Sequence, residues 1–284
     1  MARAGKLEKS QLKYYNDKVC NYILRSVAKV SLKKVLLTAL LVLSVALVGC
    51  GSDKAAKQDK VLKVATSPDF APFAFTEEKS KEYVGFEMDL IKAIAKQMGT
   101  KAEISNISFD GLIPALLANN VDLAISGVTI TPERQQKVDF SQAYYRSGLS
   151  IMVRTENNEI KSFKDLAGKK VAVQIGTSSA TAAKNIPNAT VREFNLVPEV
   201  VMELQNKGVD AVINDLPVNQ YFLATTKTKD VKLVGELLST EDYGIMVNKG
   251  NKKLLDQINK AMDELKKNGE YDKIYKKWFG ELKK

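Results

Sequence analysis

Arg134, two threonines and the start of a helix fall within one short stretch, residues 122–141. An apolar strand over 123–125 runs into the small and hydroxyl residues Ser126, Gly127 and Thr129. A helix is predicted next, with Thr131 as N-cap, Pro132 at its first position and Glu133 in its first turn. Arg134 follows one turn in. Bare backbone amides, hydroxyls and a guanidinium therefore meet at the carboxyl end of a strand. That combination suits a carboxylate: a helix start offers unpaired N–H groups and partial positive charge, and arginine adds a two-pronged fork. The plainer reading is a surface arginine on a capped helix, and the segment alone does not exclude it.

Such a site needs elements that hold it at a cleft. From residue 61 the chain alternates short apolar strands with amphipathic helices. Strands are predicted at 61–65, 102–107 and 121–125, with helices at 86–98 and 112–117 between them. Phe86, Leu90, Ile91, Ile94, Ala95 and Met98 form the apolar stripe of the first helix, and Gly99 stops it. The second half repeats the scheme. A strand at 171–174 is followed by a turn at 176–179 and a helix from Ala180. A short helix at 198–204 stops at Gly208, and a strand follows at 210–213. A helix at 252–267 ends at Gly269, and a last one covers 271–279. Strand–helix–strand alternation predicts an α/β fold with parallel sheets.

Residues 116–126 and 204–214 echo one another. Each reads as a helix end, a polar turn, Val-Asp, an apolar strand and then a polar residue, Ser126 or Asn214. Two lobes built alike would face each other across a cleft, because open α/β sheets bind ligands outside the carboxyl ends of their strands. Chance likeness between two βα units is the alternative.

Composition narrows the function. Lys33 and Lys34 precede an uncharged apolar run at 35–48, too short to span a bilayer but the length of a signal-peptide core, and Gly49-Cys50 follows. Residues 47–50 resemble a lipobox, so residues 1–49 are expected to be a signal peptide and Cys50 a lipidated anchor. Residues 1–30 are long and basic for such a leader. Two readings fit them: a start near Val30, or a structureless cytoplasmic extension. Residues 50–60 read as a lipidated tether, polar and without apolar periodicity. Without residues 1–49 the chain keeps 34 basic and 31 acidic residues, net +3, so it has no footprint for nucleic acid. It has no histidine, and both cysteines, Cys20 and Cys50, fall outside the domain that starts near residue 61. His-based triads, thiol nucleophiles and His-liganded metal sites are thereby excluded. No cofactor is expected.

With these pieces assembled, the chain resembles the extracellular solute-binding proteins of polar amino-acid ABC importers, a bacterial lipoprotein family of the family 3 type. The resemblance runs from about residue 61 to the C-terminus. It is carried by Ala-Thr-Ser-Pro-Asp-Phe-Ala-Pro-Phe-Ala-Phe at 65–75, Val-Gly-Phe-Glu-Met-Asp-Leu at 84–90, and Ser-Phe-Asp-Gly-Leu-Ile-Pro-Ala-Leu at 108–116. Gly-Val-Thr-Ile-Thr-Pro-Glu-Arg at 127–134, Asp-Phe-Ser at 139–141, Tyr-Gly-Ile-Met-Val at 243–247 and Asn-Gly-Glu-Tyr-Asp at 268–272 complete it. It implies a two-lobe, type II periplasmic-binding-protein fold. Lobe one would be 61–145 plus 245–284 and lobe two 150–240, with hinge crossings near 145–149 and 239–243.

The same likeness implies how a free amino acid would be held. Arg134 would grip its α-carboxylate, helped by the Thr129 hydroxyl and by amides near Ser126, Gly127 and Thr129. Amides at Thr177 and Ser178 would join from the second lobe. Asp215 would hold the α-ammonium; its other reading is an N-cap for the segment after it. Phe70 and Phe109 would stack on the ligand side chain, while Phe73, Phe75, Phe86, Trp278 and Phe279 would pack in the core. Ser67, Gln174 and Asn214 would set specificity. Some members carry an acid where this chain has Ser67, and three neutral groups suit a glutamine-like ligand, with a water-bridged arginine-like one as the other fit. The expected partners are ABC permease subunits and the membrane through its lipid anchor, the chain itself being a monomer. Rival readings are an enzyme on the same fold, of dehydratase or lyase type, in which Asp69 has no evident partner, and a ligand-sensing receptor subunit.

Overall fold

Two five-stranded sheets organise the chain, whose structure, a computed structural model, describes residues 61–280. The expected signal peptide, Cys50 and the tether lie outside the described residues. The first sheet contains β1 (Val61–Thr66), β5 (Lys101–Asn106), β6 (Leu123–Ala124), β7 (Val138–Phe140) and β15 (Met246–Asn248), in the order β5-β1-β6-β15-β7. A small sheet of β2 (Asp69–Phe70), β3 (Ala74–Thr76) and β4 (Tyr83–Val84) follows β1 in the chain. The second large sheet contains β9 (Leu149–Arg154), β10 (Lys170–Gln174), β11 (Thr190–Phe194), β12 (Ala211–Asp215) and β13 (Val231–Val234), in the order β11-β10-β12-β9-β13. Between them β8 (Tyr145–Ser147) pairs antiparallel with β14 (Glu241–Tyr243), so the chain crosses to the second sheet and returns through one two-stranded ribbon.

The two large sheets match position for position. β6 and β12, the strands of the internal echo, each lie third, parallel to β1 and β10 respectively. The sheets are mixed, where the alternation predicted parallel ones. β9 runs antiparallel to β12 and β13, and β15 runs antiparallel to β6 and β7. The reason is how these strands arrive. Both enter straight from the crossing ribbon, whereas a parallel neighbour needs a crossover, usually a helix, to carry the chain back.

Eight α-helices occur among the described residues: α1 (Phe86–Gln97), α2 (Leu112–Leu117), α3 (Pro132–Lys137), α4 (Ser178–Lys184), α5 (Val197–Gln205), α6 (Leu216–Thr226), α7 (Lys252–Lys267) and α8 (Glu270–Phe279). The predicted stripe of α1 is buried at Phe86, Leu90, Ile91, Ile94 and Ala95. The Phe, Leu and Ile side chains among them contribute about 1.5–3 kcal/mol each when fully buried. Below the cleft Phe73 meets Phe86, Tyr145, Tyr243 and Phe279 with ring centroids 4.8–6.2 Å apart. This aromatic cluster ties α1 and α8 to both strands of the ribbon. Phe75 sits at its edge, half-buried, between Trp278 and Tyr221. No described helix is long and apolar enough to cross a membrane.

Candidate functional site

Thr131 caps α3 as predicted: its hydroxyl accepts from the Arg134 amide at 3.2 Å, and Pro132 fills the first helical position. That cap orients Arg134 toward the carboxyl ends of both large sheets. One guanidinium nitrogen donates to the Thr129 carbonyl at 2.8 Å and another to the Gly176 carbonyl at 3.0 Å, the latter in the loop after β10. Phe109 lies against the guanidinium, 5.6 Å from ring centroid to Cζ. Two of the five N–H donors are thus used and the rest remain for a ligand. Burial lowers the Arg134 pKa, and the carboxylates of Glu241 and Asp215 oppose that most. A cleft of about 550 Å³ opens here, lined by Thr131, Arg134, Gly176, Thr177, Ser178 and Glu241 among others.

Thr177 and Ser178 open α4. The Thr177 hydroxyl accepts from the Ala180 amide at 3.2 Å and donates to the Gln174 carbonyl at 2.7 Å. The Ser178 hydroxyl donates to Glu241 at 2.7 Å, and the Thr129 hydroxyl donates to the same oxygen at 2.6 Å. Glu241 is buried on β14, and nothing in its local sequence marks it as part of a site.

Asp215 ends β12 and is buried, as is Asn214 beside it. It occupies the N-cap position of α6, yet its side chain makes no capping bond. Its carboxylate instead accepts from Ser147 at 3.0 Å and from the Tyr243 hydroxyl, one residue from each strand of the ribbon. Burial pushes its pKa up to about 7; the Tyr243 hydrogen bond opposes this and the Glu241 charge adds to it. The Asn214 side chain donates to Asn219 at 3.5 Å, and its carbonyl accepts from Ser150 at 3.1 Å.

Asp69 has partners on both sides of the cleft, contrary to the expectation that it had none. It accepts from the Ser67 hydroxyl at 2.7 Å, from the Gln174 side chain at 2.9 Å and from the Val197 amide at 2.9 Å. Burial raises its pKa, and the groups that offset this are all neutral: the Val197 amide, the Ser67 hydroxyl, its own amide and Gln174. Two of the three neutral groups expected to set specificity are thus hydrogen-bonded to a carboxylate. Ser67 and Gln174 are the hydrogen-bonding neighbours of that carboxylate.

Phe70 is 7% exposed and stacks on Phe73 at 5.5 Å. Gly127 makes room for it: φ is +59°, and a Cβ there would run into the Phe70 ring. The Gly127 amide donates to Glu87 at 2.6 Å, so it is committed beneath the cleft and not offered to a carboxylate within it. The Ser126 hydroxyl accepts from the Ser67 amide at 3.0 Å, joining the ends of β1 and β6. Sequence reasoning missed Glu241, Tyr243 and Ser147 as members of the site. The Val-Asp echo pointed toward strand ends, and the resemblance put hinge crossings at these two segments without giving Ser147, Glu241 or Tyr243 a role toward the ligand.

The family model described as bacterial extracellular solute-binding proteins, family 3, matches residues 62–281. The arginine-binding extracellular protein ArtP of Bacillus subtilis (strain 168) is 33% identical over 253 residues, covering 87% of this chain and 98% of that protein. Among solved structures, an ancestral arginine-binding protein bound to arginine is 46% identical with a TM-score of 0.74, over 78% of this chain and 98% of that chain. An ancestral arginine-binding protein bound to glutamine is likewise 46% identical, with a TM-score of 0.73 and the same coverage.

Proposed function

The chain belongs to the bacterial extracellular solute-binding proteins of family 3 and has their two-lobed α/β fold; from that premise we propose that it captures a cationic amino acid of the arginine type and delivers it to an ABC importer. The two large sheets are the lobes, 61–145 with 245–284 and 150–240, and the β8–β14 ribbon is the hinge. Cys50 is the lipid anchor that keeps a monomeric domain near the permease.

A zwitterion leaving water must find a charged partner at each end, or its desolvation stays uncompensated. Arg134 takes the α-carboxylate with its unspent N–H groups, joined by the Thr177 and Ser178 amides. Asp215 takes the α-ammonium. The side chain lies along Phe70, where a cationic head adds a cation–π contribution of roughly 0.5–2 kcal/mol. Asp69, between Ser67 and Gln174, supplies the counter-charge for that head. The Glu241 and Asp215 carboxylates act on the Arg134 guanidinium, and Asp69 adds a third acid at the side-chain end, a balance that favours a ligand of net positive charge over a neutral one such as glutamine. Contacts to both lobes make the ligand bind the closed form better, which shifts the hinge toward closure.

The observation that carries this reading is the Arg134 guanidinium bonded to main-chain oxygens of both lobes, at 2.8 Å and 3.0 Å. Arg134→Ala is the test. Titration calorimetry with arginine should show binding lost while the thermal transition survives; unchanged affinity refutes the assignment. An enzyme would need an uncommitted acid or base over the ligand, and Asp69, Asp215 and Glu241 each already accept at least two hydrogen bonds.

A further inference from the structure

Glu241 gathers one hydroxyl from each lobe onto a single oxygen. Thr129 Oγ1, beyond β6, donates to Glu241 Oε2 at 2.6 Å, and Ser178 Oγ, at the start of α4, donates to the same atom at 2.7 Å. The other carboxylate oxygen takes the Ser239 hydroxyl at 3.1 Å. Glu241 is 7% exposed and belongs to hinge strand β14, where it pairs with Ser147. The Thr129 and Ser178 oxygens come within 3.4 Å of each other.

A hydroxyl has one proton to donate and two lone pairs to accept with, whereas an ionised carboxylate only accepts. With the Thr129 and Ser178 hydroxyls each donating their hydrogen bond to Glu241, both can serve a ligand only as acceptors. A carboxylate gains nothing from such hydroxyls, but an ammonium does. We propose that Glu241 is a positioning residue that fixes the polarity of the Thr129 and Ser178 hydroxyls, turning them into acceptors for the α-ammonium of the bound amino acid. The α-ammonium then has Asp215 as counter-charge and two neutral oxygens as further partners, while the α-carboxylate is left to Arg134 and main-chain amides. This replaces the expectation that the Thr129 hydroxyl helps hold the carboxylate. Because Glu241 lies on the hinge strand, the ammonium's partners are set where the two lobes join, so an amine is sensed at the point that must bend.

The inference rests on the reading that the cleft binds an amino acid of the arginine type, and its test separates the two. Three ligands are titrated into the wild type and Glu241→Gln: arginine, its deamino analogue 5-guanidinopentanoic acid, and its decarboxylated analogue agmatine. A glutamine side chain keeps the size but replaces the charged acceptor that both hydroxyls share with a neutral amide oxygen, a weaker acceptor, so both are held less firmly in their donating direction. Arginine and agmatine should each bind Glu241→Gln about tenfold more weakly, the scale of one well-placed hydrogen bond, with the deamino acid unchanged. Thr129→Val, which removes one acceptor without changing the side chain's shape, should show the same pattern and covers the case in which Glu241→Gln does not fold. Equal losses for all three ligands, or losses confined to those that keep the carboxylate, overturn the proposal. If wild-type protein binds none of the three, the functional reading itself falls.

Discussion

The carboxylate of Asp69 accepts a hydrogen bond from the main-chain amide of Val197 at 2.9 Å, so β2 on one side of the cleft satisfies the first amide of α5 on the other. The N-cap position of α5 is Leu196, which has no side-chain acceptor to offer. The helix start would otherwise present an unpaired N–H and partial positive charge. Asp69 supplies that cap from across the cleft and also holds Gln174, the last residue of β10, at 2.9 Å. One acid thus ties the side-chain pocket to both lobes.

Replacing Asp69 with asparagine should change which ligand is preferred. The variant keeps an acceptor for one of its donors but removes the pocket's uncompensated charge. Arginine affinity is expected to fall by about tenfold or more, equivalent to about 1.4 kcal/mol, while glutamine affinity changes far less. Calorimetric titration of both amino acids reads the ratio. A ratio equal to that of wild type rejects Asp69 as the residue that selects a cation.

Asp215 gives the binding equilibrium a proton. Burial and the Glu241 charge, against the pull of Tyr243 and Ser147, bring its pKa up to about 7. An ammonium docking beside it favours the ionised form, so its pKa falls on binding and the proton is released. Affinity should therefore rise with pH until about 7 and level off above. Below that it should drop by up to about tenfold per pH unit. Calorimetry at about pH 6 in two buffers of different ionisation enthalpy measures the proton count. Release near one proton is expected for wild type and none for Asp215→Asn; no release from wild type excludes Asp215 as the ammonium's partner.

What could be read in advance divides by sequence separation. The Thr131 cap on Arg134 closes over three residues, and Thr177 caps α4 over the same span; residue type and order determine both. The stripe of α1 and the extents of α2 and α7 follow from periodicity alone. Glu241 meets Thr129 over 112 residues and Ser178 over 63, and Asp69 meets Val197 over 128. Such pairs depend on how the ribbon joins two lobes, which no local pattern encodes. Strand direction behaves alike: nothing in the local sequence of β9 or β15 marks a direction, and only their entry from the ribbon makes them antiparallel. Asp69 shows the same limit most sharply. It was visible two residues from Ser67, but its partners Gln174 and Val197 lie in the other half of the chain.

Glu87 should make the fold less stable as pH rises. It is fully buried at the start of α1, where one oxygen accepts from the Gly127 amide at 2.6 Å and from the Tyr144 hydroxyl, and the other has no partner. Burial pushes its pKa from 4.5 up to about 7, against the pull of those two hydrogen bonds. Between these values the folded chain binds more protons than the unfolded one. The stability due to the protonated acid is complete below about pH 4.5 and is lost as pH climbs through about 7. Asp215, raised from 3.8 to about 7, acts in the same direction. Glu87→Gln removes the titration but keeps an acceptor for Gly127 and Tyr144. It should match wild type near pH 5 and exceed it near pH 9, by on the order of 3 kcal/mol at one linkage unit per pKa unit. Urea unfolding at the two pH values makes the comparison. A variant that is weaker than wild type by the same amount at both would mean that Glu87 is ionised within the fold and that its unpaired oxygen has found a partner.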